Sequence, residues 1–94
     1  EIDTGVSGSA ADKMGSMICS MGAYMQVFAI THLPQVAAKG DAHYIVTKTF
    51  SGDRAGTDIR CISGRERVNE IARMLSGSEI TPEAVANAEA LLSR

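Results

Sequence analysis

No Gly-x-x-x-x-Gly-Lys-Ser/Thr motif occurs anywhere in the 94 residues, so the chain has no phosphate cradle of its own. The nearest imitation, Gly52-Asp53-Arg54-Ala55-Gly56, lacks both the spacing and the lysine. Long apolar runs are missing too: nothing approaches the ~20 consecutive residues that a membrane-spanning helix needs. Cysteine is scarce. Cys19 and Cys61 stand far apart without a Cys-x-x-Cys pair, which excludes a disulfide framework or a cysteine-rich metal site and leaves two reduced, buried thiols as the expectation. Net charge is small, −2. That weighs against this segment alone gripping nucleic acid, which takes clustered Lys and Arg. The start, acidic and glycine-bearing, has no signal-peptide pattern, and no repeat, linker or low-complexity tract interrupts the sequence.

What remains is a globular composition, 45% hydrophobic, on a chain long enough for one domain with a thin margin of core. Gly5 and Gly8 mark residues 1–8 as a loop. Ser9 is placed to cap a helix over 9–24, because its hydroxyl can accept from a free N–H of the first turn. Ala11, Met14, Ile18, Met21 and Met25 recur at steps of three and four and form its apolar stripe. The methionines read as core rather than as a soft binding groove. Gly15 inside this helix costs about 1 kcal/mol relative to alanine, a cost that makes sense where another backbone lies close.

Residues 27–31, Val-Phe-Ala-Ile-Thr, read as a strand buried on both faces. Ligands of open α/β sheets sit beyond the carboxyl ends of such strands, which puts His32 at a binding rim. A doubly buried strand needs neighbours on both sides. The chain also opens at Glu1 without methionine, and both features point to a piece cut from something longer. Pro34 suits the first turn of a short helix at 33–38, stopped by Gly40. Two β-rich runs, 42–50 and 57–63, flank the polar stretch 51–56 and predict an antiparallel hairpin at a sheet edge, with faces that are not strongly distinguished. A helix over 65–75 carries Val68, Ile71, Ala72 and Leu75 on one face and stops at Gly77. Thr81, Pro82 and Glu83 open the last helix with a cap, a first-turn proline and an acid, ahead of a stripe of Val85, Ala88, Leu91 and Leu92.

Three groups of residues bear on chemistry. Glu1 is a candidate to orient and polarise a water as general base. His32 is a candidate hydrogen-bond donor to a phosphate oxygen. Arg65, Arg67 and Arg73 lie on one helix and read as a solvated face, with a DNA-facing patch as the minority reading. His43 has no metal-spaced companion and reads as a strand residue. Taken alone, a terminal glutamate is ordinarily solvated and a strand-end histidine ordinarily structural.

Three stretches resemble the C-terminal part of the RecN family of bacterial DNA repair proteins: Glu1-Ile2-Asp3-Thr4-Gly5-Val6-Ser7-Gly8, Ile30-Thr31-His32-Leu33-Pro34-Gln35-Val36-Ala37-Ala38 and Glu66-Arg67-Val68-Asn69-Glu70-Ile71-Ala72-Arg73-Met74-Leu75. The family is similar to the structural-maintenance-of-chromosomes proteins, whose ABC-type ATPase head is split by a coiled coil. The resemblance implies an α/β fold: the C-terminal lobe of a P-loop ABC-type ATPase head, a partial parallel sheet with a β-hairpin and flanking helices. Residues 1–94 would form a single partial domain from the end of Walker B onward.

By position, the resemblance implies that Glu1 closes Walker B and places the hydrolytic water. Asp3, Thr4, Gly5, Ser7 and Gly8 would form the D-loop near the partner's nucleotide, and His32 would be the switch histidine that senses the γ-phosphate. Many such D-loops carry an aspartate near Ser7, so backbone contacts are the expectation there. The implied cofactors are ATP and Mg²⁺ in the full-length protein, with none for the isolated fragment. The implied partners are the N-terminal half of the head with its coiled coil, a second head in a homodimer, and DNA; the implied location is the bacterial cytoplasm, at the nucleoid.

The isolated fragment is expected to be inactive and to self-associate along its open sheet edge. Leu75-Ser76-Gly77-Ser78-Glu79 imitates the ABC signature motif but follows the histidine instead of preceding Walker B, so a helix stop at Gly77 explains it. The rival readings are a non-catalytic dimerisation or docking segment, motivated by the last two helix stripes, and the head of another SMC- or ABC-type ATPase.

Overall fold

In chain order the elements are α1 (Gly8–Met21), α2 (Pro34–Ala37), β1 (His43–Ser51), β2 (Arg54–Ile62), α3 (Gly64–Ser76) and α4 (Pro82–Leu92). The structure, a computed structural model, describes residues 8–77 and 79–93.

The core is built where α3 and α4 meet. Ile71 and Ala72 of α3 are buried against Ala84 and Ala88 of α4, with Val68, Leu75, Val85, Leu91 and Leu92 packed around them. The two stripes expected from the sequence therefore cover one another, which leaves little of them for the docking role they motivated. Gly77 ends α3 at φ 87° and donates its N–H to the Arg73 carbonyl at 2.9 Å. That is a helix stop, as expected of the signature-like run. Thr81 caps α4, its Oγ1 accepting from the Ala84 N–H at 3.1 Å, and Pro82 opens the first turn. Arg65 at the start of α3 lies 3.6 Å from Glu89 near the end of α4, so the pair is antiparallel.

Helix α1 starts at Gly8, whose φ of 64° is readily available to glycine alone. It begins one residue before the expected Ser9 cap and ends at Met21, short of Tyr24. Bonds from Gly22 to Cys19, Ala23 to Ser20 and Tyr24 to Met21 tighten the exit into i→i+3 turns. Its buried contacts are Ala11 and Gly15. A Cβ on Gly15 would meet the Gln35 carbonyl oxygen at 3.1 Å and the Val36 Cα at 3.3 Å, so the glycine does admit the backbone of α2. Met21 and Met25 are exposed, and the methionine stripe is core at its N-terminal end only. Gly15→Val is expected to cost roughly 1–3 kcal/mol by overpacking against that backbone. Gly15→Ala should lose less, because about 1 kcal/mol of helix propensity is recovered. Urea unfolding checks both, and a valine variant as stable as the parent would show that the α1–α2 contact is loose.

Strands β1 and β2 pair antiparallel through Ser51↔Arg54, joined by Gly52 and Asp53. Gly52 has φ 64° while Asp53 does not leave negative φ, the pattern of a II′ turn. The tight turn shifts β1 one residue along from the expected 42–50 at the same length, and extends β2 back from the expected start at 57 to Arg54. It also sets the register: Tyr44↔Cys61, Val46↔Ile59, Lys48↔Thr57 and Phe50↔Ala55 share one face, and His43↔Ile62, Ile45↔Arg60 and Thr47↔Asp58 the other. The first face is richer in apolar residues but carries Lys48 and Thr57, and the second holds Ile45 and Ile62, so the faces are not strongly distinguished, as expected. Ile62, 3% exposed, anchors the hairpin to the body.

Two expectations are corrected here. Residues 27–31 form no strand, and the sheet has two antiparallel strands with no parallel pair among the described residues. Without neighbours to bond, the run stays irregular, leaving Phe28 81% and Ile30 76% exposed. Cys19 and Cys61 are free as expected but exposed rather than buried: Cys61 lies on the open face of the hairpin, and Cys19 is on a surface of α1. The architecture is mixed α and β, with a hairpin and flanking helices.

Candidate functional site

Of the residues singled out by sequence, Glu1, Asp3, Thr4, Gly5 and Ser7 lie outside the described residues. Gly8 is exposed and opens α1, and no atom would obstruct a Cβ there within 4 Å. Its glycine is needed for its conformation, not for space.

His32 is exposed and stands two residues before α2. Its backbone is held from both sides. The Leu33 N–H donates to Thr31 Oγ1 at 3.0 Å, closing a turn around His32. Leu33 in turn accepts from Val36 and Ala37 at 3.1 and 3.0 Å, and Pro34 is buried at the first helical position. The imidazole is thus presented on a fixed backbone at the mouth of a short helix.

Helix α2 is the piece on which the surrounding elements converge. Gly15 of α1 lies against it. Lys39, just past its end, donates to Ser16 Oγ at 2.7 Å and pairs with Asp12 at 3.5 Å, a second tie to α1. From α3, Arg67 Nη2 donates to the carbonyls of Ala37, Ala38 and Gly40 at 3.2, 3.4 and 2.7 Å. The last turn of a helix leaves carbonyls in want of partners, and a cation is favoured there; Ala37 also accepts from the Gly40 N–H at 3.3 Å. The expectation of a solvated arginine face therefore holds for Arg65, 65% exposed in its side chain, and fails for Arg67, which is half-buried. The miss has a simple cause: its partners are main-chain carbonyls about thirty positions earlier, which side-chain spacing does not register.

An open trough of about 1330 Å³ runs beside His32, lined also by Met25, Phe28, Ile30, Tyr44, Val46 and Ile59, with His43, Glu70 and Arg73 among its polar groups. Glu70 and Arg73 are ion-paired. His43 begins β1, half-buried, and its Nδ1 is enclosed with no hydrogen-bond partner among the described residues. Burial lowers its pKa from the ordinary value, the Arg67 guanidinium lowers it further, and Glu70 pulls the other way.

The unfolded chain therefore takes up a proton at His43 more readily than the folded chain. The resulting stability is complete above the ordinary imidazole pKa and is lost as pH falls through the lowered folded value. The melting temperature should decline as pH falls below about 6.5, the ordinary imidazole value, and less steeply in His43→Gln. Equal slopes for the two proteins would remove His43 as the cause. Among the described residues no three His, Cys, Asp or Glu side chains gather as a metal site would require, and no helix is long and apolar enough to cross a membrane.

No family model matches the chain. Individual proteins do. The chain is 46% identical over 92 residues to the DNA repair protein RecN of Xylella fastidiosa (strain 9a5c), which covers 98% of this chain and 16% of that protein. It is 42% identical over 92 residues to the RecN of Halalkalibacterium halodurans, again 98% of this chain and 16% of the relative. It is 40% identical over all 94 residues to the RecN of Bacillus subtilis (strain 168), covering 16% of it. These relatives are bacterial DNA repair proteins. More narrowly, the chain is a RecN-type sequence along its whole length, consistent with a C-terminal fragment of that protein; it spans 16% of the length of each of these relatives.

Proposed function

We propose that the chain serves as the C-terminal segment of an ATPase head in a RecN-like protein that acts in recombinational repair of DNA double-strand breaks. In this reading residues 1–94 form one partial domain running from the end of Walker B. Glu1 polarises the attacking water. Asp3, Thr4, Gly5, Ser7 and Gly8 form the loop that faces a second head, with Ser7 acting through its backbone. His32 donates a hydrogen bond to the γ-phosphate as charge develops there. ATP and Mg²⁺ are bound only in the full-length protein, between two heads of a homodimer, and the missing half of the head, the coiled coil and DNA are its partners. The working place is the bacterial cytoplasm at the nucleoid.

The observation that carries the reading is the placement of His32. Its exposed imidazole sits on a turn closed by Thr31, directly ahead of a helix packed on α1, the helix that the Glu1–Gly8 stretch enters. Such a residue is held in place without being used by the core. In the full-length protein His32→Ala is expected to lower ATP turnover by about a hundredfold to a thousandfold, the range of one lost transition-state donor, while nucleotide binding persists. Turnover within twofold of the parent would end the assignment.

The docking reading keeps one support, different from its first. The faces of α3 and α4 are spent on each other, but the trough leaves Phe28, Ile30, Val46 and Ile59 more than half exposed. Monomodal light scattering at the monomer mass, at high concentration of the chain, would count against self-association through that trough.

A further inference from the structure

We propose that Arg67 is a positioning residue for His32: by clasping the end of α2 from α3, it fixes the helix whose other end carries the histidine. The inference rests on the role of His32 given above and adds to it a residue with no place in the phosphate site. The geometry is specific. One guanidinium nitrogen donates to Ala37, Ala38 and Gly40, with the shortest bond, 2.7 Å, to Gly40. Arg67 Nε is buried with no partner among the described residues, a cost set against the three bonds of Nη2.

A helix of four residues has too few internal bonds to hold its own position. Its place is set by what grips it. On one side are Gly15 and the Lys39 tie to Ser16 and Asp12; on the other is Arg67. Removing Arg67 frees the carbonyl end, and α2 can then rotate about its contact with α1. Leu33 and the turn around His32 are bonded to the first turn of α2, so they move with it. A hydrogen bond aimed at developing charge is sensitive to such movement: a misplacement of about 1 Å can cost about a hundredfold in rate. Arg67 thereby links the α3–α4 pair to the histidine.

The test is a double-mutant cycle in the full-length protein, reading kcat and KM for ATP separately. Arg67→Ala is expected to lower kcat by roughly tenfold to a hundredfold with KM little changed. In a His32→Ala background the same change should add nothing, because the group it positions is gone. Arg67→Lys should restore only part of kcat, since a single ammonium does not reproduce the fork of a guanidinium. The lysine variant, which keeps charge and bulk, carries the cycle if the alanine variant fails to fold.

Unchanged kcat in Arg67→Ala, or a loss of equal size in the presence and absence of His32, overturns the proposal while leaving the histidine assignment standing. A normal rate in His32→Ala alone overturns both.

Discussion

Replacing Glu1 by glutamine in the full-length protein is expected to reduce ATP hydrolysis by about 10²–10⁴-fold, the contribution of a positioned general base. Glutamine keeps the length and shape of the side chain and can still accept a hydrogen bond from water. It cannot take the proton. The loss should therefore fall on kcat and spare nucleotide affinity. Because the two heads are proposed to close over uncleaved nucleotide, the variant should accumulate ATP-bound dimer, visible as a shift to twice the mass on light scattering with ATP present. Glu1→Asp separates basicity from reach: it keeps the carboxylate but withdraws it by one methylene, and should fall between parent and glutamine variant. Near-normal turnover in Glu1→Gln would refute the catalytic assignment.

The contrast between Glu1 and His32 shows what was legible in the residues. The helices of the second half announce themselves. Stripes at steps of three and four, a threonine cap and a glycine stop each correspond to a local physical cause, and α3 and α4 stand within a residue of expectation. The short helix after Pro34 follows from the same rules.

From composition alone, the run at 27–31 suits a doubly buried strand. A strand, however, is completed by its neighbours: among the described residues none pairs with it, and the apolar side chains face outward. The hairpin shows the same limit in milder form. Its existence was evident from the turn residues. Its register was not, because the side-by-side placement of Val46 and Ile59 is set by the II′ turn at Gly52. Arg67 lay beyond sequence reasoning for a related cause, since main-chain acceptors carry no side-chain signature.

The candidate site was legible only through resemblance. Glutamate and histidine at these positions carry weak signals by themselves. The likeness to RecN proteins, 46% identical in one case, gives them a context. The structure adds what holds the backbone ahead of α2, a contact between α1 and α2 made by a buried glycine and a lysine tie.

Stability rests on a narrower base, and the largest single loss is expected at Ile71. It is the one large side chain among the described residues that is fully buried, at 0% exposure. Its buried neighbours are Ala72, Ala84 and Ala88. Alanines have no rotamers with which to fill a void, and the partly buried Val68, Leu75, Leu91 and Leu92 around them can close it only in part, so Ile71→Ala should cost about 2–5 kcal/mol. The few tenths of a kcal/mol that alanine gains in helix propensity do not offset it. Against a total stability of roughly 5–15 kcal/mol for a small domain, the variant should be partly unfolded at physiological temperature. Ile71→Val, which removes one methylene, should cost only about 0.5–1.5 kcal/mol. Urea unfolding followed by far-ultraviolet circular dichroism resolves the series. An alanine variant within about 1 kcal/mol of the parent, below the range for a rigid buried site, would mean that the α3–α4 interface repacks freely and is not the core of the chain.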